Sequence, residues 1–217
     1  ILDERVRISE DSISLSTQAI TVYERGRAIP YTSLSLDLAA FDLENAIQKK
    51  LREQMKLSLE NASMSAFKSG MIKAIPNGVA SLVLDTDGTA STTATANLNV
   101  YHVEQIRDAL FSTYLISPMA DGTYACMLAT KAKRGIMNDP KWENWHKYTD
   151  QEKKYNSELG KLEGIRFVES NNTSALSASK GSGSVLGEAV FFGEDCVSMG
   201  VVAEPELRAK ESEDYGR

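Results

Sequence analysis

Two aspartates lie one residue apart, directly after a short apolar run near the middle of the chain. Residues 82–84 are Leu-Val-Leu, which is typical of a strand, and Asp85 and Asp87 follow them before Gly88 and Thr89. Carboxylates can act as nucleophiles, as general acids or as metal ligands. The pair is therefore a candidate for carboxylate chemistry.

The same residues resemble the first motif of the haloacid-dehalogenase phosphatases, in which Asp85 would be the nucleophile and Asp87 the general acid. That motif normally opens its domain, but here 84 residues precede Asp85, and residues 89–96 are drawn only from Ala, Ser and Thr. Residues 193–195, Gly-Glu-Asp, are a weak counterpart of the family's acidic metal motif. A tight acidic turn is the preferred interpretation, and an Asp-dependent phosphatase is the alternative.

The two cysteines offer little for nucleophilic chemistry. Cys126 lies in an apolar run typical of a buried strand, where a thiol is inert, and Cys196 follows two acidic residues that raise its pKa. The sequence contains no phosphate-binding loop, nucleophile elbow or His-Glu-x-x-His motif. We therefore predict that the protein is not an enzyme and has no catalytic residue, cofactor or metal.

Acidic side chains outnumber basic ones, with 30 Asp and Glu against 24 Lys and Arg and a formal net charge of −6. Proteins that bind nucleic acid tightly cluster Lys and Arg on one surface, so this balance argues against such a function. Residues 131–161 are locally basic, and a solvated helix face is preferred there over contact with an acidic partner. No apolar run approaches the roughly 20 residues that span a membrane, and no signal peptide opens the chain, so we expect no membrane partner.

The start of the chain predicts a ribbon of strands. Residues 1–33 alternate with a period of two, as at Ile20 and Val22, but they form no large apolar face. An isolated ribbon of this kind is marginal in water. We therefore expect it to lie on another subunit or on a part of the chain outside this sequence.

A long helix is the strongest predicted element. Between residues 37 and 67, apolar or small side chains recur every three or four positions and form one stripe. The stripe consists of Ala40, Leu43, Ile47, Leu51, Met55, Leu59, Ala62 and Ala66. At 1.5 Å per residue this helix would span about 46 Å, as much as a compact domain of this length is wide. A kink or two shorter helices is the alternative.

The rest of the chain alternates between strand and helix patterns. We predict strands at 71–75, 123–129, 162–168 and 188–192, a turn at 76–78, helices from Val100 to Tyr114 and through Trp142 toward Leu159, and polar loops at 89–96 and 170–184. This order predicts an α+β protein with a small α/β lobe after residue 99.

Five stretches, together with the order of the elements, carry a resemblance to a known family. They are residues 20–32, the helix from Asp37, residues 115–118 with 122–125, residues 139–145 through 164–170, and residues 214–217. The first reads Ile-Thr-Val-Tyr-Glu-Arg-Gly-Arg-Ala-Ile-Pro-Tyr-Thr, and the last reads Asp-Tyr-Gly-Arg. The chain resembles the major capsid proteins of tailed bacteriophages with the Hong Kong ninety-seven shell fold, and most closely the N-four-like family.

The resemblance implies a fold and a division of the chain. The fold would combine an extended β-hairpin loop, a peripheral domain with a long spine helix and an α/β axial domain. Residues 1–33 would be the loop, 34–75 the peripheral domain, 76–186 the axial domain with its polar loops, and 187–217 strands returning to the peripheral domain. In the family an arm precedes the position of Ile1 and a strand follows that of Arg217, so the sequence is expected to be part of a longer chain.

The resemblance also implies a function. Copies of the chain would assemble in the host cytoplasm into hexamers and pentamers of an icosahedral shell, the virion capsid, which encloses double-stranded DNA without sequence-specific contact. Scaffolding, portal and decoration proteins are further implied partners, and an encapsulin-like compartment of the same fold is the alternative. The extended loop would supply the subunit-interface residues Tyr23, Glu24, Arg25, Gly26, Arg27 and Tyr31.

Overall fold

The structure is a computed structural model that describes residues 19–146 and 159–209. The chain forms two compact units, the first from Ile1–Leu38 with Met199–Arg217 and the second from Ala39–Ser198. All of the described residues that are buried belong to the second unit.

The second unit mixes helices and strands, which confirms the predicted α+β class. The first unit contributes the helix α1 (Ser33–Leu38). The second contains α2 (Leu43–Lys68), β1 (Lys73–Gly78), β2 (Ser81–Asp85), α3 (Val100–Asp108) continued by a π-helical turn (Ala109–Thr113), β3 (Tyr124–Ala129), α4 (Thr130–Met137), α5 (Pro140–His146), β4 (Lys161–Leu162), β5 (Ile165–Ser170), a 3₁₀ turn (Ser182–Ser184) and β6 (Ala189–Phe192).

A four-stranded sheet in the order β4-β5-β3-β6 lies at the centre of the second unit. β3 pairs in parallel with β5 and antiparallel with β6, so that Cys126 is opposite both Phe167 and Phe191. A strand with neighbours on both sides and a helix against it is apolar along its whole length, which explains the continuous apolar run that predicted β3. The main core cluster includes Val100 and Val103 of α3, Leu128 of β3, Ile136 of α4 and Ile165 of β5.

The predicted long helix is confirmed, but it begins at Leu43 rather than at residue 37. Asp42 is its N-cap, and the Asp42 carboxylate accepts a hydrogen bond from the Asn45 backbone N–H at 3.1 Å. An N-cap residue has extended backbone angles, so the residues before Asp42 cannot continue the same helix. The 26 residues of α2 span about 39 Å.

The predicted ribbon at residues 1–33 is wrong where it can be compared. Residues 19–32 contain no strand, and residues 1–18 lie outside the described part of the chain. Strands require a hydrogen-bonded partner, and none of the described segments pairs with residues 19–32.

The hairpin β1-β2 turns later than predicted. Pro76, Asn77 and Gly78 belong to β1, and the turn lies at residues 79–80. Proline is tolerated here because β1 is an edge strand in a two-stranded sheet. The Pro76 carbonyl accepts hydrogen bonds from the backbone N–H groups of Thr95 and Ala96, at 3.0 and 3.3 Å.

Helix α4 was not predicted, and the helical stretch predicted through Trp142 is present as α5, with residues 147–158 outside the described ranges. Strand β6 pairs with β3, so residues 189–192 belong to the same sheet as β3 and β5. The same segment also reaches the end of α2, where Phe192 contacts Phe67 and Glu188 pairs with Lys68.

Candidate functional site

The Asp85–Asp87 pair closes a loop. Both Asp85 carboxylate oxygens accept hydrogen bonds from Ser91, from its backbone N–H at 2.7 Å and its hydroxyl at 2.9 Å. The Asp87 carboxylate accepts one from the Thr89 backbone N–H at 2.9 Å. Gly88 has a φ of 84°, which suits glycine, and its N–H donates to the Met71 carbonyl at 2.8 Å. This geometry favours the tight acidic turn over a phosphoryl-transfer site.

The residues that would complete a metal site are not gathered around this turn. Glu194 lies in a different loop, where its backbone N–H donates to the Ser117 carbonyl at 3.0 Å. Within residues 19–146 and 159–209, no three side chains of His, Cys, Asp or Glu are grouped so that they could hold a metal ion.

The two cysteines occupy different environments. Cys126 is fully buried in β3, and burial raises the pKa of its thiol well above the ordinary value. Cys196 is exposed, and partial desolvation, together with the charge of Asp195, raises its thiol pKa as well. A raised pKa leaves little thiolate at neutral pH, so neither side chain is activated as a nucleophile.

The six predicted interface residues all lie on the extended segment of the first unit. Tyr23 is 75% exposed and Tyr31 is 41% exposed. Residues 24–27 between them are also exposed, and a Cβ added at Gly26 would meet no atom within 4 Å. The predicted set is therefore fully available on the surface of its unit.

Exposed apolar side chains, most of which the sequence analysis did not single out as interface residues, lie in the same unit as this set. In the first unit, eleven large apolar side chains are exposed: Ile20, Val22, Tyr23, Tyr31, Leu34, Leu36, Leu38, Met199, Val201, Val202 and Leu207. We call these eleven residues the arm surface. Its two chain segments approach each other at Gly200, where an added Cβ would lie 3.9 Å from the Ile20 side chain. The alternating apolar residues 197–201 were the available signal in the sequence.

Helix α2 contacts its own unit near its C-terminus. Met64 is its one buried residue, and the rings of Phe67 and Phe192 lie 4.7 Å apart between centroids. The Lys68 ammonium lies 2.8 Å from the Glu188 carboxylate and also donates to the Ala175 carbonyl at 3.1 Å. Four exposed apolar side chains lie just before the helix or within its first two thirds: Phe41, Met55, Leu57 and Leu59.

A buried polar side chain, His102, lies at the start of α3. Its Nε2 is 2.8 Å from the Gly78 carbonyl oxygen, so that it joins the helix to the tip of the β1-β2 hairpin. His102 lies within the helix predicted from Val100 to Tyr114, and the sequence analysis gave it no role.

Comparison with known proteins provides no relative for this chain: no protein-family model, no curated protein and no solved structure matches it. A search of the described helices finds none long and apolar enough to cross a lipid bilayer.

Proposed function

We propose that the protein is the subunit of an icosahedral shell, a major capsid protein of a tailed bacteriophage. Copies of the chain assemble into hexamers and pentamers that enclose double-stranded DNA, and the chain performs no catalysis. The proposal includes the Hong Kong ninety-seven fold, in which α2 is the spine helix and the four-stranded sheet belongs to the axial domain.

The observation that carries the proposal is the arm surface. The described residues of the first unit include none that is buried, yet eleven of them are large apolar side chains open to water. Burying one such side chain contributes about 1.5–3 kcal/mol. A soluble monomer seldom leaves so many uncovered, since extended exposed apolar patches mark interaction surfaces. A neighbouring subunit is the covering surface that a shell provides.

The contact between neighbouring copies of the chain must be head-to-tail. A surface that binds a different surface on the next copy makes a head-to-tail contact, and such contacts close into rings when the rotation between copies allows it. Rings of five and six copies are what a shell of this type requires. We propose that the arm surface of one copy binds a different surface of the next copy in this way.

Helix α2 supports the same proposal. A helix of 26 residues that is fixed to its own unit near one end leaves most of its length without a buried residue. In water most helical stability comes from packing of an amphipathic face. Met55 and Leu59 are exposed and lie four residues apart on one face, so they favour a partner along this helix.

The test is direct observation of the purified full chain by negative-stain electron microscopy and sedimentation. We expect closed, uniform shells built from pentamers and hexamers. Shells recovered from expressing cells together with double-stranded DNA support the capsid assignment, whereas shells that enclose a docked enzyme instead of DNA support the encapsulin-like alternative. A stable monomer with a radius of gyration of about 17 Å, as expected of a compact chain of this length, contradicts both.

A further inference from the structure

Helix α3 begins with a capping box formed by Asn99 and His102. The Asn99 side-chain oxygen accepts a hydrogen bond from the His102 backbone N–H at 3.0 Å. In return, His102 Nδ1 accepts one from the Asn99 backbone N–H at 3.3 Å. Two backbone donors that the helix cannot satisfy internally are thus satisfied by these two side chains.

The same two side chains hold the tip of the β1-β2 hairpin. The Asn99 side-chain amide donates to the Val79 carbonyl at 2.7 Å, and His102 Nε2 donates to the Gly78 carbonyl at 2.8 Å. Asn99 and His102 therefore make four hydrogen bonds: two cap the start of α3, and two bind it to the hairpin. We call this arrangement the hairpin latch.

The partners of His102 fix its protonation state. A carbonyl oxygen can only accept, so Nε2 must carry a proton, and a backbone N–H can only donate, so Nδ1 must be unprotonated. The hairpin latch therefore requires the neutral imidazole in one tautomer. A second proton on Nδ1 would place an N–H opposite the N–H of Asn99 and break the capping box.

The surroundings of the imidazole oppose its protonation. The ring is fully buried, and this desolvation lowers the pKa of His102 below its ordinary value, while hydrogen bonding to the backbone of Gly78, Ser81 and Asn97 and the charge of Asp139 act in the opposite direction. The Asp139 carboxylate is engaged by the backbone N–H groups of Val100 and Lys141, at 3.2 and 2.8 Å. Tyr101 presents its ring to His102 at 5.8 Å between centroids. Asp139 and Tyr101 are thus two titratable side chains beside the imidazole.

We propose that the hairpin latch is an acid-sensitive conformational device, in which protonation of His102 releases the hairpin tip from the start of α3. The direction of this pH effect follows from the linkage between opening and proton binding. The opened state takes up a proton at the ordinary histidine pKa of about 6.5, whereas the latched state does so only at lower pH. The latched state is fully favoured above pH 6.5 and loses stability relative to the opened state as the pH falls below it.

Hydrogen exchange of the full chain, followed by mass spectrometry at pH 7.5 and pH 5.5 and corrected for the intrinsic chemical rates, tests this proposal. At pH 5.5, one unit below the ordinary pKa, we expect local opening of residues 73–85 and of the first turn of α3 to increase relative to pH 7.5, by at most about ten-fold. The central strand β3 should keep its protection at both pH values. Equal protection of the hairpin at the two pH values would falsify the proposal.

Matched variants test whether His102, rather than another group, causes the pH dependence of hairpin exchange. His102→Gln provides an amide donor that can reach Gly78 but no titrating group, so the hairpin should exchange alike at both pH values. His146→Gln removes the other histidine of the chain and should keep the wild-type response. If His102→Gln does not fold, the imidazole resonances of the His146→Gln variant report the titration directly. The proposal is wrong if His102 has the ordinary pKa of about 6.5 and hairpin exchange is the same at both pH values.

Discussion

Asp85 shows that an aspartate in a motif typical of phosphoryl transfer can also hold a loop closed. Its two carboxylate oxygens accept from the backbone and the hydroxyl of Ser91, so the loop after β2 is closed by the same group that would attack a phosphoryl substrate. In sequence the two roles look alike, because both need a short acidic side chain after a strand. The partners of the carboxylate distinguish them, and these lie six residues farther along the chain.

Substitution of Asp85 by Asn tests this role. The amide keeps the shape but loses the charge and one of the two acceptor oxygens, so we expect the free energy of unfolding to fall by about 1 kcal/mol. Urea denaturation measures this change. Asp87→Asn, where the carboxylate accepts a single hydrogen bond from the loop backbone, is the matched control and should cost less. Phosphatase turnover in the wild type that disappears in Asp85→Asn, with shells intact, would instead favour the enzyme.

At the scale of elements, the clear periodicities predicted the correct structures. The stripe of α2, the apolar run of β3 and the short strand β6 all appear close to their predicted places. The start of α2 was missed because the stripe extends through Ala40, while the Asp42 cap interrupts the backbone after it. Helix α4 was missed because its core contact needs only Ala132 and Ile136, one turn apart, with Gly135 between them. A single apolar pair does not establish a period.

The candidate site was predictable to the same extent. The sequence predicted an extended loop for the six proposed interface residues, which are exposed, but the strands expected there are absent from residues 19–32. A period of two produces a strand with two distinct faces only when a partner strand is present. If that partner belongs to another subunit, the sequence of one chain does not show where it binds. The role of His102 was equally hidden, because its partner Gly78 is 24 residues away and contributes a backbone carbonyl.

Close packing between α4 and the segment before β6 gives a prediction at this scale. A Cβ at Gly187 would overlap the backbone nitrogen of Ala132, at the buried start of α4. Because well-packed cores do not accommodate added atoms, we expect Gly187→Ala to lower the free energy of unfolding by about 1–3 kcal/mol. Gly70→Ala is the control, since its Cβ would lie at an ordinary 3.6 Å from the Phe67 carbonyl. Equal stability of the two variants in urea denaturation would show that α4 and this segment do not approach so closely.

At the scale of the whole molecule, the proposed function assigns stability and assembly to different parts of the chain. The second unit contains the core, the sheet and the buried ends of its helices. The first unit carries the arm surface and, among its described residues, buries none. A change in the arm surface should therefore affect association without affecting the fold of the second unit. This separation makes the proposed function testable by substitution.

Val201 and Val202 are the residues for that test, because they are 60% and 80% exposed and so contribute little within the subunit. In Val201→Asp/Val202→Asp, each subunit contact loses two apolar side chains and gains two charges that burial would desolvate at high cost. We expect shells to be replaced by free subunits or small oligomers in sedimentation and electron microscopy, with the melting temperature of the second unit unchanged. Thr92→Asp, at an exposed polar site in the second unit, should leave the shells intact. If the doubly charged variant assembles as well as the wild type, the arm surface is not an assembly surface and the shell proposal loses its main support.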